Sequence, residues 1–596
     1  MLLNPARLAA LVFAAALAAP PVPAADFYPL DRVKPGMKAV GRTVFSGDLV
    51  EEFQAEILGV LENVGPRQSI ILARLSGGPL AKTGVLAGMS GSPVYIDGKL
   101  VGAVAFGFPF ATEPITGIRP ISEMIEPFAQ RSDPPPPALR AALSVDRWLP
   151  PADFRLLPPP PEPAGQLHLI ATPVHFGGFS ARTLEVFGAQ LRELGLAPLQ
   201  GAGGAARAAS SDLGDPARLQ PGSMISVGLV RGDLNLTADG TLTHIDGRRL
   251  YAFGHRFLSA GPTDLPFMRA SVIALLPSVN HSIKISAAAE LMGSIRQDRN
   301  AGIFGEIGVR PRLLPVDLTV HSSRSGNHQY RLEMVNDRFL SPFLLQMIAF
   351  SAIDATERAL GPATLQVRQR ISFGAGRPAV DLDNIYAGES NIAVIAALGA
   401  ALPMAFLMQS GFQELRPERV QLDILSLDER KLLRLERAWT SQREARPGER
   451  LELAAALRAD DGREVIRKLP FEIPAGAAAG PLTITVADGP SLNLLDLQAP
   501  GSTREAATAA QLVRSINRAR KNSSLYVRVW RPDRGFTLQS EPLPSLPASL
   551  KSVLSSGPSG SGLVGASWSS ILAEMEMDGF DTAVSGSATL RLAVKE

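Results

Sequence analysis

Residues 88–106 read GMSGSPVYIDGKLVGAVAF. Small residues surround Ser90, Pro93 closes the turn, and Asp97-Gly98 separates two short apolar runs. An Asp-Gly pair between such runs is a hairpin signal, because both turn positions need a positive φ that these residues tolerate. The stretch therefore predicts a tight polar turn that opens into a β-hairpin. Upstream, KAVGRTVF (38–45), FQAEILGVLENV (53–64) and SIILARL (69–75) are further short apolar runs cut by Gly and polar residues. Residues 26–130 are thus read as a hairpin-rich β-barrel half that carries the serine motif.

Beyond it, Pro134 to Pro137 and Pro158 to Pro161 frame an extended linker at 131–165. A second β-rich half follows at 166–375. Its clearest part is MISVGLVRGDLNLTADGTLTHIDGRRLYAFGH (224–255), where Asp239-Gly240 and Asp246-Gly247 predict turns in a meander of three short strands. Gly201 to Ala209 is low in complexity and predicts a mobile loop. Ser341 to Leu360 has helical spacing, with Ser341 as cap and Pro342 at the first helical position. Residues 376–412 form a helical connector. Within it Ile392 to Met408 is apolar throughout, but it is shorter than the roughly 20 residues a span needs and carries Pro403, so it is expected to be a buried helix. Strand-like runs such as VQLDILSL (420–427) predict an immunoglobulin-like β-sandwich at 413–489. A small α/β region at 490–596 contains an amphipathic helix over Thr503 to Lys521.

The chain has 596 residues, enough for three or four domains at about 150 residues each. Apolar residues are 45% and charged residues 19% of it, which excludes a disordered chain. With 54 Gly and 49 Pro, β-rich architecture is favoured over long helices. Lys and Arg number 59 against 57 Asp and Glu, so no broad positive field invites nucleic acid. Cysteine is absent, which removes disulfides, thiolate metal sites and a Cys nucleophile together. Residues 1–25 (MLLNPARLAALVFAAALAAPPVPAA) have one Arg, an apolar stretch and small residues at the end, the pattern of a signal peptide. The protein is therefore expected to be exported, periplasmic or secreted, with no integral span beyond that peptide.

A serine between glycines, in a turn that leads into a strand, is how two-barrel serine proteases present their nucleophile. Ser90 is the candidate, and the amides of Gly88 and Ser90 are the candidate oxyanion hole. The same residues would also suit an ordinary polar turn. Seven histidines could supply a base: His168, His175, His244, His255, His281, His321 and His328. His255 stands out, since it follows Gly254 at a strand end and opens a loop of small residues, whereas His244 lies within a strand-like run. No phosphate-binding glycine pattern and no metal-ligand spacing is present, so neither cofactor nor metal is expected.

GMSGSPVYIDGKLVGAVAF resembles the serine motif and following hairpin of the SpoIVB-type serine peptidase family. Lys82-Thr83-Gly84, PGSMISVGLVRGD (221–233), GTLTHIDGRRLYAFGH (240–255) and GSIRQDRNAGIFGEIG (293–308) extend the resemblance. It implies a chymotrypsin-like two-barrel fold and endopeptidase chemistry on a protein or peptide substrate, with Ser90 as nucleophile and His255 as base. This chain departs from the family in three ways. Its serine precedes its histidine, so the halves look permuted; it lacks a PDZ-like module; and Ala73 to Leu86 has no acid where the family has one. Asp264 is then the first substitute for the third triad member, with Asp246 and Asp298 behind it. Two other readings follow from these departures. One is an inactive envelope scaffold that keeps the fold, with a protein partner for the C-terminal sandwich. The other is a protease restrained by its C-terminal domain and released by truncation near Arg416.

Overall fold

The computed structural model describes residues 27–129, 167–201 and 212–595, apart from breaks at 109–110, 112, 279–281, 358–359, 375, 476, 499–507, 533–534, 539–540, 544–545, 547, 557–563, 568 and 578. The expected signal peptide, the Pro-rich linker and nearly all of the 201–209 loop lie outside these residues.

Strands β1 (Lys38–Val44), β2 (Val50–Gly65) and β3 (Gln68–Ser76) pair antiparallel in sequence order. A short helix α1 (Leu80–Thr83) and the two-residue β4 (Leu86–Ala87) lead to the hairpin of β5 (Pro93–Ile96) and β6 (Lys99–Gly107). Its turn residues Asp97 and Gly98 both have positive φ, 49° and 77°, which is why Asp-Gly stands there. Strand β7 (Ile115–Pro120) lies between β3 and β6, and β5 pairs with both β1 and β6. The order β5-β1-β2-β3-β7-β6 therefore closes on itself as a six-stranded barrel with no free edge inside the ring. Phe53, Ile57, Ile71, Leu75, Val94, Val104 and Ile118 fill it. Helix α2 (Ile121–Ala129) follows, and β8 (His168–Leu169) adds to β6.

The second half begins with β9 (Thr172–Gly177), helix α3 (Ala181–Glu193) and β10 (Leu196–Gln200), the two strands being parallel. Then come β11 (Met224–Gly232), β12 (Asn235–Asp246), β13 (Arg249–Ala252), β14 (Gly261–Leu276), β15 (Ser282–Arg299) and β16 (Gly302–Ile307). Their pairing runs β12-β13-β16-β15-β14-β11, and β11 returns to β12, so this too is a closed ring of six strands. The expected turn at Asp239-Gly240 is absent: β12 runs straight through it. Gly240 is needed for space, because a Cβ there would lie 2.4 Å from the Phe253 ring. Asp246-Gly247 does form the turn between β12 and β13, with Gly247 at φ 59°.

The sheet continues past the ring through β17 (Leu313–Ser322), β18 (Gly326–Val335), β19 (Leu360–Ser372), β20 (Val380–Ser390) and β21 (Arg419–Leu427). Helices α4 (Leu340–Thr356) and α5 (Ile392–Gln409) pack on it and on each other. Asp337 caps α4 by accepting the Phe339 and Leu340 amides, both at 2.9 Å, while Ser341 donates to the Val335 carbonyl, so the expected Ser341 cap is displaced. Among the described residues α5 is the one helix long and apolar enough to cross a membrane. It lays Ala396, Ala397, Ala400, Met404 and Leu407 into the core formed with the sheet and α4.

Two boundaries differ from the sequence reading. VQLDILSL is β21, lying between β17 and β19 rather than in the C-terminal sandwich, because Val420, Leu422 and Ile424 alternate onto the large sheet's core. The C-terminal unit is a pair of facing sheets that extends well past 489. Strands at 432–440, 450–459, 464–472 and 583–585 form one, and those at 444–445, 480–488, 525–531, 570–577 and 587–594 form the other. Leu453, Leu457, Ile484, Val486, Val527 and Leu592 share the core between them. The amphipathic helix is confined to Ala509–Asn517 with Thr508 as its cap, the residues before 508 lying outside those described. The molecule as a whole is mainly β and compatible with a chymotrypsin-like double barrel.

Candidate active site

The turn Gly88 to Ser92 is shaped by the first barrel and fastened to the second. Met89 donates to the Leu86 carbonyl at 3.0 Å and Ser92 to the Met89 carbonyl at 2.9 Å. Gly91 donates to Val104 at 2.7 Å, and Val104 returns a bond to Ser92 at 3.0 Å. Gly88 and Gly91 have φ of 97° and 93°, which side chains rarely adopt, so the glycines flanking Ser90 are dictated by the turn itself. From the second barrel, the Thr241 amide donates to the Ser90 carbonyl at 2.8 Å. The Thr241 hydroxyl donates to Gly88 O at 2.8 Å and the Thr243 hydroxyl to Gly91 O at 2.7 Å. Three consecutive attachments to one face of β12 hold the serine turn at the seam between the barrels.

The histidine arrives at the same seam. A Cβ on Gly91 would lie 2.0 Å from Thr241 O and 2.5 Å from Phe253 N, so the residue after Ser90 touches the backbone two residues before His255. A Cβ on Gly254 would meet Val104 O at 3.1 Å, the same carbonyl that accepts the Gly91 amide. The structure thus brings the two segments into contact, although they come from different barrels.

His255 is 2% exposed and Ser90 fully buried. The His255 Nδ1 lies 2.7 Å from the Arg256 carbonyl, which can only accept, so Nδ1 carries the proton and Nε2 presents a lone pair. Both Nε2 and Ser90 Oγ are without a hydrogen-bond partner among the described residues. Each such buried orphan costs about 1–3 kcal/mol, so two at one seam mark a place where packing has yielded to another demand. Burial is the main cause that pushes the imidazole down to about 4; the Arg256 carbonyl opposes it, and Arg119 and Arg256 add to it. At neutral pH His255 is an uncharged base.

The acids are placed otherwise than the sequence suggests. Asp264 accepts from Ser294 Oγ at 2.7 Å, Arg296 Nη1 at 2.7 Å and the Arg312 amide at 2.9 Å, so it is not the residue that orients His255. It sits where the β14–β15 register is irregular, between Pro262 and Leu265. Asp246 closes the β12–β13 hairpin, where it acts on His244. Asp298 accepts the amides of Phe257, Leu258 and Ala260 at 2.8, 2.6 and 3.1 Å. It shapes the loop that follows His255 without reaching the ring. The orienting group is a backbone carbonyl, which fixes the tautomer as a carboxylate would but brings no full negative charge.

His244 packs between Phe27 and Tyr251, with centroids 5.5 and 6.0 Å away. A second His-Asp-Ser cluster is buried nearby. Asp239 accepts from Ser226 at 2.5 Å and from Ser286, and His175 Nε2 lies 3.0 Å from it but out of line for a hydrogen bond. These hydroxyls donate to the carboxylate rather than to an imidazole, so neither serine is activated as in a triad. Sequence reasoning missed Thr241, Thr243 and the buried Lys284, whose side chain packs on Gly88. The alternating Thr241 and Thr243, two polar residues on one strand face, were the available signal. Among the described residues no group of His, Asp and Glu could hold a metal ion.

A family model described as SpoIVB peptidase S55 matches residues 27–122. The match coincides with the first barrel. That segment includes Gly88, Ser90 and the whole β5–β6 hairpin, and supports a serine peptidase at the level of the family. His255 lies outside the SpoIVB match. No curated protein and no solved structure matches the chain.

Proposed function

We propose that this chain is an exported serine endopeptidase of SpoIVB type that cleaves a protein substrate through an acyl-enzyme. The observation that carries the reading is the pair of unpartnered buried groups, Ser90 Oγ and His255 Nε2, on either side of one backbone contact between barrels. His255 takes the proton of Ser90 at Nε2, and the Ser90 oxygen attacks a peptide carbonyl. The amides of Gly88 and Ser90 receive the oxyanion, and His255 returns the proton to the leaving amine. Water then repeats the sequence on the acyl-enzyme.

Arg256 O orients the imidazole in place of a carboxylate. Replacing the acid in a standard triad lowers turnover about 10⁴-fold, largely through the wrong tautomer, whereas here the tautomer is the productive one. A slow but genuine enzyme is the expected result. The burial of both groups further requires the seam to open before a substrate can enter.

The test is cleavage of an unfolded protein substrate by the purified full chain, beside Ser90→Ala and His255→Ala. Cleavage lost in both variants supports the reading. Cleavage retained in either variant rejects Ser90 and His255 as the reacting pair, and cleavage absent from all three rejects the reading in favour of a non-catalytic scaffold.

A further inference from the structure

Lys284 lies beneath the serine turn with 0% exposure. Its stem packs on Gly88: a Cβ there would sit 3.3 Å from Lys284 Cδ and 3.4 Å from its Cβ. The strand carrying it, β15, pairs with β4 immediately before the turn. Its ammonium nitrogen bonds Thr43 Oγ1 at 2.7 Å, and Ser92 Oγ bonds the same Thr43 oxygen at 3.0 Å. Ser92 also lies 3.5 Å from Thr241 Oγ1, which holds the Gly88 carbonyl. A chain of hydroxyls therefore links the lysine to both ends of the turn.

No carboxylate forms an ion pair with Lys284 among the described residues. Glu51 on β2 acts on it only at a distance, and the Phe45 ring is 5.8 Å away. The other charged groups on the surrounding strands are committed elsewhere. Arg42 on β1 pairs with Glu52, Asp239 on β12 is taken by Ser226 and Ser286, and Arg269 on β14 by Asp48 and Glu290. A buried cation with one hydroxyl for company is costly, and an apolar residue of this length would pack more stably. Burial accordingly pushes the amine down to about 7, with Glu51 opposing.

We propose that Lys284 is a positioning residue of the serine site, and that proton gain or loss at its amine switches the Gly88–Ser92 turn between two hydrogen-bond arrangements. With the amine neutral, Thr43 donates to Nζ and accepts from Ser92, so all the hydroxyl protons run toward the lysine. Protonation makes Nζ a donor to Thr43 Oγ1, which can accept from Nζ and Ser92 together, but the buried Thr43 proton then loses the amine as its acceptor. It competes for the Ser92 oxygen, and that competition weakens the Ser92 bond and loosens the turn. The proposal rests on Ser90 being the nucleophile for its effect on activity, but its effect on the turn stands apart from that reading.

The experiment uses the full chain, Lys284→Met and Thr43→Val, all checked for cooperative melting. Reaction of Ser90 with a fluorophosphonate is followed from pH 5 to 9. The wild type is expected to gain at least threefold in rate through a midpoint near 7, and both variants to lose that limb. In parallel, hydrogen exchange of a peptide spanning 86–94, corrected for intrinsic rates, should show more protection at pH 8 than at pH 6 in the wild type alone. Equal pH dependence in wild type and Lys284→Met overturns the proposal. Should the wild type fail to react at all while the exchange difference persists, the serine chemistry falls and the switch remains. Should it react normally with no exchange difference and no limb near 7, the reverse holds.

Discussion

At the scale of single residues, the site turns on how burial treats two bases. His255 is held down to about 4 chiefly by desolvation, against an ordinary value near 6.5. A base depressed in the folded state is a burden below its folded pKa, and that burden lifts as pH rises to the unfolded value. His255 should thus stay an active base down to about pH 4, so the limb it sets in the Ser90 reaction belongs there, below the separate limb near 7 assigned to Lys284. Measuring the pH–rate profile of Lys284→Met to about pH 3.5 checks this, and a sole acidic limb near 6.5 in that variant would show an ordinary, solvated imidazole. For Lys284 the same sign applies between about 7 and 10.5. Lys284→Met should raise the melting temperature by several degrees at pH 6, and the gain should shrink toward pH 10. Calorimetry at the two pH values distinguishes this from a pH-independent packing gain. Asp298 offers a third case. Asp298→Asn leaves one oxygen for three amides and is expected to cost about 1–3 kcal/mol, read from denaturant unfolding.

At the scale of elements, close backbone approach explains which glycines are indispensable. Gly91 has φ of 93° and less than van der Waals room toward Thr241 and Phe253. Gly91→Ala should therefore separate the barrels locally and abolish a competent site, with a stability loss of about 3 kcal/mol or more. Gly247→Ala, where nothing lies within 4 Å of the added Cβ, should carry only the smaller penalty of a positive φ. Unfolding curves of the two variants make the comparison. The sequence made the β5–β6 hairpin legible because Asp97-Gly98 states its turn locally. It misled at Asp239-Gly240 because the same dipeptide there answers to a distant ring, Phe253, and to two buried hydroxyls, Ser226 and Ser286. Ser90 and His255 could be singled out by their neighbours. Asp264 could not be rejected, since its partners Ser294, Arg296 and Arg312 come from chain 30 or more residues away.

At the scale of the molecule, two closed six-stranded rings meet at the serine turn, and the ring carrying Ser90 comes first in the chain. A serine that precedes the histidine is physically tolerable, because the contact between β12 and the serine turn is one that no chain order dictates. The C-terminal sandwich attaches on another side. It meets the rest through β20 and α5, with Asn517 and Asn522 bonding the Asp381 and Ile385 amides. Cutting near Arg416 would remove β21 from between β17 and β19 and should unfold the large sheet. A cut after residue 428 spares that strand. The shortened chain is expected to keep its reactivity toward a fluorophosphonate within about twofold if it melts cooperatively, and a large gain would instead reveal restraint by the sandwich.

The central claim is that Ser90 and His255 form one reactive pair across the two barrels. Its most direct test is to treat the folded wild type and His255→Ala with a fluorophosphonate and locate the adduct by mass spectrometry. An adduct on Ser90 is expected in the wild type, falling at least a hundredfold in His255→Ala. An adduct on Ser92, an adduct on Ser90 that ignores the loss of His255, or no adduct on a folded wild type would contradict it.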